Sequence, residues 1–337
     1  MNIFELTRAL VDIESVTGNE EKAGLFLLEY LTALAARSGG SVERMDIEPR
    51  RFNVLASWGE PIVTLSTHID VVPPWFASSE DDEFIYGRGA CDAKGIAASM
   101  IKAAEALLDE GVRGFALLFV AGEERNSAGA IAAAKQSRGS RFLVNGEPTE
   151  NKLALGSKGA LRYEIAAHGR MAHSAYPELG ESAILKLLDA LQRLRAIELP
   201  KDDILGQSTM NIGTIAGGRA PNVIPDEATA EIMFRLVAPS GPLRAEVEKA
   251  VSGLAEAREI LEIPAVRLRS IEGFPTTVVS FTTDIPAFNG AWGEPLLIGP
   301  GSVHVAHTLD ERVPKRQLSE AAGIYADITR RLLAEAA

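Results

Sequence analysis

Hydrophobic residues in the first part of the chain switch between two spacings. Helical spacing predicts amphipathic helices at residues 1–14, 20–37, 93–110 and 127–136. Between them, short apolar runs predict strands at residues 42–48, 53–58, 62–67, 115–120 and 142–144. Asn2 and Glu5 stand three residues apart, as a helix cap and its partner do. The alternation predicts an α/β fold with a mixed, mostly parallel sheet covered by helices.

A different order follows in the middle of the chain. The pattern there is strand, helix, strand, strand, helix, strand, with predicted elements at residues 161–167, 181–195, 210–215, 229–236, 243–258 and 266–270. This order is typical of a ferredoxin-like α+β domain. An apolar strand at 278–281 and a final helix then resume the first pattern. We therefore expect a catalytic domain formed by residues 1–158 and 274–337, interrupted by an inserted lid or dimerisation domain at 159–273.

Composition and charge exclude several classes of protein. The net charge of -12 disfavours nucleic acid and anionic lipid as partners. Cys91 is the only cysteine, so no disulfide can form within the chain and a reducing cytoplasm is expected. No apolar run approaches the roughly 18 residues that a membrane span needs. The amphipathic N-terminal helix is unlike a signal peptide.

Acidic residues and histidines stand where predicted strands end or where a loop leads into a helix. They are His68, Asp70, Asp92, Glu123, Glu124, Glu147 and His307. Ligands bind beyond the carboxyl ends of strands in open α/β sheets, so we expect these side chains to lie together. Carboxylates brought together repel one another unless a cation lies between them. Histidine with carboxylates suits zinc or a similar divalent ion.

Two pairs of nearby residues each combine a possible metal ligand with a residue of another role. His68 and Asp70 are two apart on a strand and point to the same face, so Asp70 can hold the imidazole in the tautomer that binds metal. The side chains of Glu123 and Glu124 diverge. One of them can therefore bind metal while the other faces the substrate.

Seven runs of sequence resemble, in order, one known family. They are STHIDVVPP, YGRGACDAKG, AGEERNSAG, GEPTE, GRMAHSAYP, APNVIPDEA and GPGSVHVAHTLDE. The chain is similar over nearly its whole length to the zinc metallopeptidase family of acetylornithine deacetylase, succinyl-diaminopimelate desuccinylase, aminoacylase and glutamate carboxypeptidase. The resemblance implies two divalent ions, zinc in the first place, with cobalt or manganese as alternatives.

The resemblance also assigns a role to each residue of the cluster. It implies one ion on His68 and Glu147 and a second ion on Glu124 and His307, with Asp92 bridging them. Glu123 matches the general base of the family and Asp70 its histidine-orienting carboxylate. The Asp92–Ala93 peptide bond is expected to be cis. His304 is the alternative to His307, because both lie in the same run.

The inserted domain contributes further residues through the same resemblance. His173 matches a histidine that stabilises the tetrahedral oxyanion, often from the partner subunit, so a homodimer built through this domain is expected. Whether His173 acts within its own chain stays open. Asn222 and Arg235 match substrate-binding residues, and Arg235 is suited to a carboxylate, although it could instead pair with Glu231. Gly299 and Gly301 match a loop whose backbone approaches the substrate.

The predicted function is hydrolysis of the amide bond of an N-acyl amino acid by a two-zinc enzyme like acetylornithine deacetylase. A succinyl-diaminopimelate desuccinylase, or a small carboxypeptidase or dipeptidase, is the alternative within the family. A catalytically silent metal-binding regulator is the alternative outside enzymes. Glu123 disfavours it, because metal storage needs no base beside a ligand. Nucleotide binding is excluded, since Asp92 replaces the third glycine of a dinucleotide fingerprint.

Overall fold

The computed structural model describes all 337 residues. The helices are α1 (Ile3–Val11), α2 (Glu21–Ser38), α3 (Lys94–Asp109), α4 (Ala128–Ala134), α5 (Ala183–Arg195), α6 (Gly241–Val251), α7 (Ile285–Phe288) and α8 (Lys315–Ala336). The strands are β1 (Ser41–Glu48), β2 (Arg51–Trp58), β3 (Val63–His68), β4 (Ser79–Glu80), β5 (Phe84–Tyr86), β6 (Phe115–Val120), β7 (Phe142–Asn145), β8 (Leu153–Ser157), β9 (Gly159–His168), β10 (Ala172–His173), β11 (Lys201–Asp202), β12 (Gly206–Gln207), β13 (Thr209–Gly217), β14 (Val223–Ile224), β15 (Glu227–Leu236), β16 (Glu256–Ile263), β17 (Val266–Arg267), β18 (Thr276–Val279), β19 (Glu294–Leu297) and β20 (Arg312–Pro314).

The chain forms two compact units. The first consists of Met1–Leu155, Leu268–Thr277 and Thr283–Ala337, and the second of Gly156–Arg267 and Val278–Thr282. None of the helices is both long enough and apolar enough to span a bilayer. The predicted cap of α1 is present: the Asn2 side chain accepts the backbone N–H of Glu5, and the Glu5 carboxylate accepts that of Asn2.

The first unit is built on a six-stranded mixed sheet in the order β1-β2-β6-β3-β7-β19. Strands β1, β6, β3, β7 and β19 point in the same direction, and only β2 runs antiparallel to its neighbours, β1 and β6. Strand β6 shows why both faces are covered. Phe115, Leu117 and Phe119 pack into a core with residues of α1, α2, α3 and α8. Leu118 and Val120 pack on the other face with residues of α4 and α7. The predicted α/β fold is confirmed.

The register of the parallel strands brings their carboxyl ends to one edge. His68, the last residue of β3, lies opposite Val120, the last residue of β6. Ser66 of β3 lies opposite Asn145, the last residue of β7. The loops that leave these strands therefore begin side by side, and they carry the charged residues that the sequence singled out.

The second unit has a four-stranded antiparallel sheet in the order β13-β15-β9-β16. Residues of α5 and α6 pack with residues of the sheet into one apolar core. The chain order strand, helix, strand, strand, helix, strand is the ferredoxin-like order predicted from sequence.

The last elements of this unit differ from the prediction. Helix α6 ends at Val251, earlier than the predicted end at 258, and residues 256–263 form the fourth strand of this sheet. The strand predicted at 266–270 is the two-residue strand β17, which pairs with β8 in another sheet. Two features explain the error. Gly253 adopts φ 76°, which ends the helical path. A register shift between Glu259 and Leu261 then breaks the alternation that marks a strand.

Candidate metal centre

The loops that follow β3, β6 and β7 bring their acidic and histidine side chains together in the first unit. His68 ends β3, Glu123 and Glu124 lie in the turn after β6, and Glu147 follows β7. Two more residues come from loops elsewhere in the unit, Asp92 just before α3 and His307 before β20. The Asp92–Ala93 peptide bond is cis, as the resemblance implied.

The Asp92 carboxylate lies between two imidazoles. Its Oδ1 atom is 2.9 Å from His68 Nε2, and its Oδ2 atom is 3.3 Å from His307 Nε2. The Glu124 carboxylate is 3.0 Å from the same His307 nitrogen. His68, Asp92 and Glu124 each offer a ligand atom, and these atoms all lie within 4.8 Å of one another.

The hydrogen bonds of His68 favour the tautomer that a metal ligand needs. Its Nδ1 atom lies 3.0 Å from the backbone carbonyl oxygen of Asp70, which can only accept, so Nδ1 carries the proton. Burial acts to lower the pKa of His68, but its contacts with Asp70 and Asp92 outweigh burial and raise it, so in the metal-free protein Nε2 holds a proton towards Asp92 that a metal ion would replace. The Asp70 carboxylate is 3.6 Å from the same Nδ1 atom, so the backbone of Asp70 is the nearer partner.

The Asp70 carboxylate accepts hydrogen bonds from the backbone of the turn after β6. Oδ1 accepts the backbone N–H groups of Gly122 at 2.9 Å and Glu123 at 3.0 Å, and Oδ2 accepts that of Glu124 at 3.1 Å. The Thr17 hydroxyl donates a fourth hydrogen bond at 2.8 Å. Asp70 is fully buried, so this carboxylate fixes the backbone from which the Glu123 and Glu124 side chains project.

Two observations indicate that a cation fits among these residues. Glu147 is buried and its Oε1 atom has no hydrogen-bond partner, which is unfavourable for a carboxylate unless a cation compensates it. Ligand atoms about 2.0–2.1 Å from a tetrahedral ion lie about 3.3 Å apart, close to the separations around Asp92. Two imidazoles with carboxylates are a donor set that zinc accepts.

The acid–base properties of the cluster reflect its burial. Burial raises the pKa of Glu123 and of Glu147 well above the usual range, and that of Glu124 less strongly. Hydrogen bonding to Asp92 and Glu124 raises the pKa of His307 to about 10. Burial acts to raise the pKa of Asp92 too, but its contacts with His307 and His68 outweigh burial and lower it. Without metal, the cluster therefore retains protons that a divalent ion would displace.

Two buried acids at this site were not singled out from the sequence. Glu311 accepts backbone N–H groups of the loop that carries Asp92. Asp284 has an Oδ1 atom without a hydrogen-bond partner, and burial raises the pKa of Asp284 to about 7. Glu311 stands four residues after His307, inside a run that the resemblance already covered. That spacing is the one signal that could have drawn attention to it.

Gly299 and Gly301 lie in the first unit, and both have close neighbours. A Cβ atom on Gly299 would lie 2.6 Å from the backbone oxygen of Glu147. One on Gly301, which has φ 88°, would lie 2.6 Å from the sulfur of Cys91. Packing alone therefore requires glycine at both positions. Cys91 is buried and donates its S–H to Ser302 O at 3.4 Å, as expected of a packing residue.

Of the remaining residues considered from sequence, three lie in the second unit and His304 lies in the first. His173, Asn222 and Arg235 lie in the second unit, and their roles at the metal centre stay predictions. Arg235 makes no ion pair, while Glu231 pairs with Arg162 instead. His304 is exposed in the loop of the first unit that carries His307, and His307 is the histidine that contacts Asp92 and Glu124.

Comparison with known proteins identifies the family. Residues 155–259 match the peptidase dimerisation domain of the M20 family. The chain is 37% identical over 336 residues to a peptidase M20 domain-containing protein of Schizosaccharomyces pombe, covering 96% of this chain and 83% of that one. It is 35% identical over 377 residues to an Aspergillus fumigatus protein named "Probable carboxypeptidase", covering 96% and 85%.

Solved structures agree in fold. Aminopeptidase PepT from Bacillus cereus has a TM-score of 0.81 at 19% identity, covering 98% of both chains. The Bacillus subtilis YXEP protein, described as a dinuclear metal binding peptidase, has a TM-score of 0.70 at 16% identity, covering 98% of this chain and 97% of that one. With these relatives and this fold, the chain belongs to the M20 family of metallopeptidases.

Proposed function

We propose that this M20 peptidase is a two-metal hydrolase that cleaves the amide bond next to a free carboxylate, in a dipeptide or another short peptide. The observation that carries the proposal is the position of Asp92 between the Nε2 atoms of His68 and His307. A carboxylate flanked in this way can bridge two cations, and bridged divalent pairs are typical of hydrolases.

Five residues would hold the ions. His68 and Glu147 would bind one, Glu124 and His307 the other, and Asp92 both. The unpartnered Oε1 atom of Glu147 supports its place among the ligands. When bound, divalent ions polarise the scissile carbonyl and lower the pKa of water towards about 7.

Glu123 would be the general base. It lies in the same turn as Glu124, and the N–H groups of both residues are held by Asp70. Burial raises the pKa of Glu123, so its carboxylate can keep a proton taken from water. The same carboxyl group would then pass that proton to the leaving amine.

Residues of the second unit would recognise the substrate. Arg235 is half-buried without an ion-pair partner, and that burial lowers its pKa, so a substrate carboxylate would be a favourable partner. Asn222 is exposed and would donate to the substrate. His173, also exposed, would stabilise the oxyanion.

A homodimer through the second unit belongs to the same proposal, because this unit matches a dimerisation domain. Its surface supports the assignment. Leu185 and Leu188 of α5 are exposed by 62% and 49%, and the edge strand β13 carries Ile215, exposed by 57%. Exposed apolar side chains next to an unpaired strand edge are typical of an interface between subunits.

The names of the relatives favour a peptidase, since one is called a carboxypeptidase and a neighbour in fold an aminopeptidase. The second candidate is an N-acyl amino acid deacylase like acetylornithine deacetylase, or a desuccinylase, which the seven sequence runs support. Both candidates cleave an amide bond and leave an amino acid, so they share one site.

A substrate panel with zinc-loaded protein separates the candidates. It contains dipeptides and tripeptides, the same peptides with amidated C-termini, and N-acetyl and N-succinyl amino acids. We expect free-acid peptides to be cleaved and their amides to be spared. Cleavage of N-acyl amino acids alone would favour the deacylase. No turnover of any compound, with Glu123→Gln as the inactive control, would contradict the proposal.

A further inference from the structure

Glu311 is a buried carboxylate that accepts several backbone hydrogen bonds from the loop before α3. It accepts the N–H groups of Gly89 at 2.8 Å, Asp92 at 3.2 Å and Cys91 at 3.3 Å. The Arg88 guanidinium donates to its other oxygen. The side chain of Glu311 has no exposed surface, so four donors and no water surround it.

The loop that Glu311 holds has an uncommon shape. Gly87 and Gly89 have φ of 139° and 91°, and a Cβ atom on either would lie within 2.8 Å of a valine side chain. Such a path leaves buried N–H groups without partners in regular secondary structure. Each of these groups would be destabilising if it were unsatisfied, so one buried acceptor that serves three of them determines where the loop lies.

Arg88 completes the arrangement. Its Nε atom donates to the Pro74 carbonyl at 3.2 Å, and its guanidinium lies 5.2 Å from the centre of the Phe76 ring. These contacts hold the Arg88 guanidinium in place beside Glu311, whose negative charge it offsets. The guanidinium partner favours the ionised carboxylate, which is a stronger hydrogen-bond acceptor for the loop than a neutral one would be.

We infer that Glu311 is a positioning residue for Asp92, and that it couples two of the three segments that supply ligands to the proposed second ion. Residues 307–311 carry His307 at one end and Glu311 at the other, while residues 89–92 end in Asp92. The inference rests on the proposed metal centre. Since Glu311 holds the Asp92 backbone and does not reach the ligand nitrogens, it acts on the ions only through Asp92.

The test measures zinc affinity and ligand geometry separately from folding. Glu311→Gln removes the charge, and Glu311→Asp keeps it but withdraws the carboxylate by about 1.5 Å. Glu110→Gln is the control, because Glu110 also accepts two hydrogen bonds from an arginine, Arg330, but lies at the far end of α3. The readouts are the zinc Kd by chelator competition, the visible spectrum of the cobalt-substituted protein, and the Tm without metal.

We expect both Glu311 variants to bind zinc about 10–100-fold more weakly, with a changed cobalt spectrum, as for other residues that orient ligands. The control should match the wild type. If Glu311→Gln does not fold, Glu311→Asp decides the question. A zinc Kd within twofold of wild type and an unchanged cobalt spectrum, even with a lowered Tm, would make Glu311 a purely structural residue. A wild-type chain that binds no zinc would overturn the metal centre itself, and this inference with it.

Discussion

The Asp70 carboxylate accepts the backbone N–H of Glu123 at 3.0 Å, which ties the proposed base to the strand that carries His68. Because the carboxylate also accepts the N–H of Glu124, it sets the position of a proposed ligand as well. The role expected of Asp70 from sequence was to orient His68. The backbone oxygen of Asp70 makes the closer contact with that imidazole.

Asp70→Asn should therefore affect both base and ligand. An amide offers one acceptor oxygen in place of two, and its NH2 group would face an N–H donor of the turn. We expect turnover to fall by roughly 10–100-fold and zinc to bind more weakly, the usual scale for a residue that orients ligands. Thr17→Val, which removes only the hydroxyl donor, is the control and should have a much smaller effect. Equal zinc affinity and turnover in Asp70→Asn and wild type would contradict this role.

Substitutions of Glu123 and Glu124 should separate the effects on catalysis from the effects on metal binding. Glu123→Gln is expected to lower kcat by about 100-fold or more, the scale of a lost general base, with zinc content unchanged. Glu124→Gln should lose zinc as well as activity. The two neighbours are matched in size and share the same turn. Metal analysis alongside initial rates tests the division, and a Glu123→Gln chain within a few-fold of wild-type kcat would refute it.

Because Asp284 is a buried acid, we expect the stability of the metal-free protein to depend on pH. Burial raises the pKa of Asp284 from 3.8 to about 7, so the folded state holds a proton that the unfolded state has released between those values. Its contribution to stability is present below about pH 4 and is lost as pH rises through about 7.

Asp284→Asn carries no titrating group at this position, so its Tm should fall less than that of the wild type between pH 5 and pH 8. Each kcal/mol corresponds to roughly 1–2 °C in a chain of 337 residues, from an unfolding entropy of about 2.1 cal/mol/K per residue. Thermal scans of both proteins in chelator across this range provide the measurement. Parallel Tm curves for the two would contradict the assignment.

The proposed role of His173 can be tested by mixing two inactive variants in one dimer. His173→Ala should lower turnover by roughly 10²–10³-fold with zinc content unchanged, the scale of a lost oxyanion donor. If His173 acts on the partner's metal centre, co-expressed Glu123→Gln and His173→Ala chains should regain activity. Each mixed dimer would then contain one site with both residues intact. Confirmed mixed dimers without recovery would show that His173 serves its own chain.

The sequence was sufficient to predict three of the four parallel strands, β3, β6 and β7, because buried strands are rich in apolar residues, whereas the short strand β19 was not predicted. Strand β16 was misplaced, since it lies at an edge, is largely exposed and contains a register shift. Glu311 was missed for a different reason. Its partner Gly89 lies 222 residues away in the chain, and the four-residue spacing from His307 does not by itself reveal an acceptor for that distant loop.

The direct test of the account is the position of the metal ions. Crystals of zinc-loaded protein should give two anomalous peaks at the zinc edge, about 3.5–4 Å apart as in other two-metal hydrolases. One peak should contact His68 and Glu147, the other Glu124 and His307, and Asp92 should contact both. In His304→Ala crystals both peaks should remain, whereas His307→Ala should lose the second. The absence of zinc between these side chains, or a second ion bound by His304, would contradict the proposed centre.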